Sequence, residues 1–98
     1  MILEQVVYRI KPSCRSAFHV HHNQVVEALA GLPGFVSLTL WTETKDPDVR
    51  ADHVVWDDEE SAMAAHQVFS ELAGAQEMMK AVDTVFHSAH FRELLSSE

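Results

Sequence analysis

Cysteine is nearly absent from this 98-residue chain: Cys14 stands alone, which excludes an intrachain disulfide. Glycine and proline number three each, too few for a low-complexity or collagen-like segment. No apolar run approaches the roughly 20 residues that cross a bilayer as a helix. The start, MILEQVVYRI, lacks the basic and apolar regions of a signal peptide, so a cytoplasmic location without membrane attachment is the expectation. Basic residues are also scarce, 7 against 15 acids, for a formal charge of −8. Phosphate backbones are bound by clustered Lys and Arg, so nucleic acid is excluded as a partner. The acids gather instead at Asp57-Asp58-Glu59-Glu60, where carboxylates would meet the positive end of a helix dipole.

What is present is apolar patterning. Ile2–Ile10 alternates as a strand, Val6, Tyr8 and Ile10 on one side and Leu3 and Val7 on the other. Lys11-Pro12-Ser13 ends it, with Ser13 a candidate N-cap. A helix follows to about Ala30, its apolar stripe made by Phe18, Val25, Leu29 and Leu32 with His22 filling the gap. Gly31-Leu32-Pro33-Gly34 stops it. Phe35–Thr44 and Ala51–Trp56 read as a hairpin turned by Lys45-Asp46-Pro47-Asp48. A second helix starts near Asp58, carries Ala62, His66, Phe69 and Leu72 on one stripe, and breaks at Ala73-Gly74. A short piece with Met78, Met79 and Val82 leads to a last strand, Val85–Phe91.

The order β-α-β-β-α-β over residues 1–98 predicts one α+β domain, a ferredoxin-like sandwich with an antiparallel four-stranded sheet and its helices on one face. A domain this small removes only about 60–68% of its unfolded surface on folding. Its strands are apolar on both sides, yet two helices cover one face. A second copy of the chain is the expected cover, through an interface of about 1,200–2,000 Å². Which strand parity faces the helices stays open at this point.

Ile10-Lys11-Pro12, Leu32-Pro33-Gly34-Phe35 and Val54-Val55-Trp56 before an acidic helix start together resemble the dimeric α/β-barrel superfamily. The nearest branch is the antibiotic-biosynthesis-monooxygenase-like domains, and the ending from Met78-Met79 to His90-Phe91 is similar to small members of that group. The resemblance spans nearly the whole chain and implies a dimeric barrel. For activity it implies a cofactor-independent monooxygenase acting on a small aromatic or quinol-type molecule between sheet and helices. A non-catalytic dimeric module binding a small apolar ligand is the alternative, since one fold hosts many functions. Haem-degrading relatives place an Asn on the first strand and an iron-ligating His late in the second helical region. This chain has Val6 and Gln76 there, so neither haem nor another cofactor is expected. Trp56 is the candidate stand-in for a pocket Trp of the polyketide-acting relatives, with an end-of-strand tryptophan packed as core the competing reading.

His66 is the candidate catalytic residue, a general base directed between helix and sheet from the apolar stripe. A core histidine bonded to a backbone carbonyl or to Tyr8 is the competing reading. Tyr8, Trp56, Met63, Phe69 and His90 are expected to bind substrate, as aromatic and Met walls suit a flat apolar ligand. His53, His87 and His90 sit on the third and fourth strands, with His87 and His90 on opposite faces. The run His19-Val20-His21-His22 reads as a solvated face, since no third ligand completes a metal site. Cys14 beside Arg15 lacks a neighbouring base and is not expected to be a nucleophile.

Overall fold

The computed structural model describes all 98 residues, from Met1 to Glu98. The strands are β1 (Ile2–Ile10), β2 (Phe35–Thr42), β3 (Val49–Trp56) and β4 (Val82–Arg92), and the helices α1 (Arg15–Ala30), α2 (Glu59–Val68) and α3 (Ala75–Lys80). Short 3-10 turns at Pro12–Cys14 and Phe69–Glu71 complete the order. The sheet runs β2-β3-β1-β4, antiparallel throughout, which is the ferredoxin-like arrangement. β1 therefore separates β3 from β4, and His53 lies across the central strand from His87 and His90 rather than beside them.

Register decides the parity that the sequence left open. Ile2 pairs with Trp56 and Arg92, Glu4 with Val54 and His90, and Val6 with Asp52 and Ser88. These rows face the helices, where Ile2, Tyr8, Ile10, Val54 and Trp56 are buried against Phe18, Val25 and Leu29 of α1 and Ala62 and Ala65 of α2. The opposite parity, Leu3, Val7, Ala51 and His53, forms the second face, together with Trp41, Phe91 and the bulge residue Phe86.

Several boundaries differ from expectation for local reasons. Ser13 does not cap α1; Pro12 opens a 3-10 turn instead, which suits a residue without an N–H, and Cys14 stands at the cap with no side-chain capping bond. β3 begins two residues early because the hairpin zips further: Val49 N donates to Asp46 O and Glu43 N to Val49 O. β4 begins at Val82, opposite Ile10, its polar Asp83 and Thr84 having disguised the strand. The acidic helix start is as expected. Asp58 Oδ1 accepts from Ser61 N at 2.7 Å, and that bond holds the carboxyl below the usual range. Arg15 grips Asp48 through two bonds of 2.7 and 2.8 Å, tying α1 to the hairpin and lowering the Asp48 carboxyl likewise.

Gly74 sets the turn into α3 at φ +84°, and a Cβ there would stand 2.7 Å from the His21 carbonyl oxygen. Gly31, at φ −85°, has its nearest neighbour at 3.5 Å. Gly74→Ala is therefore expected to destabilise the fold by about 2 kcal/mol or more, left-handed backbone alone costing about half of that. Gly31→Ala is expected to stay within about 0.5 kcal/mol. Urea midpoints of the two variants check the contrast.

Candidate functional site

A cavity of about 200 Å³ lies between the helix-facing side of the sheet and all three helices. Most of its wall is apolar, including Val6, Val25, Leu38, Phe69 and Met78. Its lining runs from exposed to buried. His66, Met79, Val85 and Ser88 are exposed and form the mouth, whereas Tyr8, His22, Val25 and Val54 are buried. The volume is below the 300–1,000 Å³ of typical drug-sized pockets and somewhat above the roughly 150 Å³ that holds benzene. It suits a ligand of one or two rings.

The buried end carries a polar group that sequence reasoning missed. Asp52, opposite Val6 on the central row, accepts from the Tyr8 hydroxyl at 3.2 Å on Oδ2. His22 Nε2 lies 2.8 Å from Asp52 Oδ1, with the His22 side chain 5% and the Asp52 side chain 14% exposed. Phe18 stacks on the His22 ring, at 5.2 Å between centroids, and tilts against Tyr8 at 5.7 Å. Burial, then the neighbouring Asp52 charge, pushes the Tyr8 phenol far above its usual range, so Tyr8 acts as a hydrogen-bond donor and not as a phenolate. The reading of the His19–His22 run as a solvated face is thus wrong for His22. Its place on the apolar stripe of α1 was the available signal. The missing piece was Asp52, an acid at a core position of a strand, which in a buried setting needs a partner.

The mouth is organised around His66. The ring does not sink between helix and sheet as expected; it is exposed at the C-terminal turn of α2 and borders the cavity. It is not bonded to Tyr8, whose hydroxyl serves Asp52. His90 meets His66 edge to face at 6.1 Å between centroids. Behind it, His90 Nε2 is buried without a hydrogen-bond partner, 3.8 Å from Glu4 Oε2. Glu4 Oε1 in turn accepts from Trp56 Nε1 at 3.2 Å.

Of the residues expected to bind substrate, Tyr8 and Phe69 line the cavity with His66. Trp56 is fully buried and packs edge-on against Phe35, off the cavity wall. Met63 is 42% exposed on the solvent side of α2, one residue too far around the helix. His90 stands one layer back, supporting His66. The position matching the iron ligand of haem-degrading relatives, Gln76, is exposed and donates to the Ser70 carbonyl. No group of three or more His, Cys, Asp or Glu side chains is placed to hold a metal ion. The Arg15 guanidinium beside Cys14 is taken up by Asp48.

Comparison with known proteins adds a family and a fold. The family model described as antibiotic biosynthesis monooxygenase matches residues 1–78. Among solved structures, a conserved protein of Methanosarcina mazei Go1 superposes with a TM-score of 0.83 at 17% identity, covering 95% of this chain and 92% of that one. SnoaB, a cofactor-independent oxygenase from Streptomyces nogalater, superposes with a TM-score of 0.82 at 19% identity, over 97% of this chain and 94% of its own. At such identities the likeness shows the common fold. Among curated proteins, none matches the chain.

Proposed function

Because the chain belongs to the antibiotic biosynthesis monooxygenase family, we propose that it is a cofactor-independent oxygenase of small hydroxyl-bearing aromatic molecules. The observation that carries this reading is the apolar cavity with an exposed imidazole, His66, at its mouth and a polar group, Tyr8-Asp52-His22, at its buried end. A ring fits the apolar walls, and His66 takes a hydroxyl proton from it as general base. The resulting anion is electron-rich enough to pass electrons to O₂ directly. A carbon–oxygen bond forms at a ring carbon, and the O–O bond then breaks. The substrate loses two hydrogens and gains one oxygen, while the second oxygen leaves as water. For hydroquinone this balances as hydroquinone plus O₂ giving hydroxybenzoquinone plus water, with no external reductant.

Support for a dimer comes from the second sheet face, where Trp41, Phe86 and Phe91 are exposed beside Leu3 and Val7. In this reading a second copy packs there, sheet against sheet. No helix of the chain is long and apolar enough to cross a membrane, and the proposed setting is cytoplasmic.

The test is oxygen uptake with hydroquinone, chelator present and uncatalysed autoxidation subtracted, with heavy-isotope O₂ as tracer. One labelled oxygen atom per product molecule is the expected result. No uptake above background would remove the oxygenase and leave the binding module.

A further inference from the structure

The geometry points to Asp52 as the anchor for a hydroxyl of an uncharged aromatic ligand, and to a cavity that rejects ligands bearing a carboxylate. This inference rests on the cavity being the ligand site, and it deepens that reading by naming the ligand's charge.

A carboxylate offers about four acceptor positions, two on each oxygen. The Tyr8 hydroxyl occupies one on Oδ2 and His22 Nε2 one on Oδ1, and no other side-chain or backbone donor reaches Asp52. One lone pair on each oxygen is left, and Asp52 is itself part of the cavity wall. A largely buried carboxylate with free acceptor positions is best satisfied by an O–H or N–H of the ligand. Tyr8 cannot reverse the bond and offer itself as acceptor to the carboxylate, so its hydroxyl and His22 hold the Asp52 carboxylate in a fixed orientation.

The rest of the wall agrees in sign. Its other acid is Glu4, and its remaining ionisable groups are Tyr8, His22 and His66; it holds neither Lys nor Arg. Arg50, the cross-strand neighbour of Tyr8, is the nearest cation and its charge is felt at the Tyr8 phenol, but it stays off the wall: its Nε donates to the Pro47 carbonyl at 2.6 Å, and its guanidinium carbon lies 5.8 Å from the Phe18 ring centroid. A ligand carboxylate entering the cavity would lose its water and find two acids on the wall with no Lys or Arg beside it to pair with. Asp52 and His90, on which the His66 ring of α2 packs, stand on neighbouring helix-facing rows of the sheet, on either side of β1. Strand spacings put the Asp52 and His90 backbones about 12 Å apart, which leaves room for one ring between the two side-chain tips. One hydroxyl thus points inward to Asp52 while the other reaches the mouth, where His66 is exposed.

The experiment is anaerobic calorimetric titration of the wild-type protein at about pH 8, where an ordinary imidazole is neutral. Three ligands separate charge from shape: hydroquinone, 2,5-dihydroxybenzamide and 2,5-dihydroxybenzoate. The diol and the amide are expected to bind within several-fold of each other, and the acid at least about 30-fold more weakly, since like charges in a water-poor contact are heavily penalised. In Asp52→Asn, checked for folding by circular dichroism, the diol is expected to weaken about tenfold or more and the gap to the acid to narrow. Equal affinity for amide and acid, no binding of the diol at millimolar concentration, or an unchanged diol affinity in Asp52→Asn would each overturn the proposal. Because oxygen is excluded, selective binding without any turnover in air would fault the oxygenase reading alone. Turnover without selectivity would fault the anchor alone.

Discussion

His66→Ala is expected to slow oxygen uptake with hydroquinone by about 10²–10⁴-fold, the range that general-base catalysis supplies. The loss should fall on kcat more than on KM, because the ring contributes a proton acceptor at the mouth while the apolar wall and the buried end do the holding. Stability should hardly move, since His66 is exposed and its ring makes no hydrogen bond within the chain, and such surface changes usually stay within about 0.5 kcal/mol. The truncation leaves a gap at an open mouth, so millimolar imidazole in solution should restore part of the rate. A purely structural ring would show no such rescue. His66→Ala at wild-type rate, with the protein folded, would remove the assigned base and shift attention to the buried His22–Asp52 pair. His90→Ala separates the two histidines further. Its Nε2 is buried and unpartnered, and the ring touches His66 and not the cavity, so a moderate loss is expected through mispositioning of His66.

The architecture was legible because strand and helix periods, the Gly-Pro stop after α1 and the acidic cap of α2 agree with one another. Element boundaries were blurred where backbone bonds, invisible in composition, extend an element. Val49 joined β3 through hairpin bonds to Asp46 and Glu43, and Val82 joined β4 opposite Ile10, far back along the chain. The site was legible only in part. His66, Tyr8 and Phe69 share a cavity because helical and strand periodicity put them on inward or bordering faces. Trp56 faces the helices like Tyr8 but lies at the other end of the sheet, opposite Ile2, where the core closes over it. His22 and Asp52 are 30 residues apart, and only the register of β3 against β1, with α1 laid across it, brings them to 2.8 Å. A polar residue at an apolar position carries half of such a pair; the fold supplies the other half. His22 on the stripe of α1 and Asp52 between Ala51 and Val54 were two halves of one signal.

Val7→Glu is expected to split the proposed dimer. Val7 sits midway along the central strand on the face away from the helices, opposite Ala51 and His87. In a lone protomer that position is half-buried on an open sheet, so the exchange costs no more than about 1 kcal/mol of strand preference. In a sheet-on-sheet dimer it buries two carboxylates at the centre of the contact, each costing several kcal/mol once stripped of water. The dissociation constant should then rise by at least about a thousandfold, the equivalent of roughly 4 kcal/mol. Val7→Thr, nearly the same shape without a charge, should leave the dimer largely intact. Sedimentation equilibrium reads the outcome directly: the wild type at twice 11.0 kDa and Val7→Glu at 11.0 kDa. A wild-type protein at 11.0 kDa would mean that Trp41, Phe86 and Phe91 stay uncovered in solution. The cavity should survive the split, because its wall lies on the helix side of the sheet, away from the face where the second copy is proposed to pack. Monomeric Val7→Glu should therefore still bind hydroquinone, and a loss of binding on dissociation would place part of the site in the partner subunit.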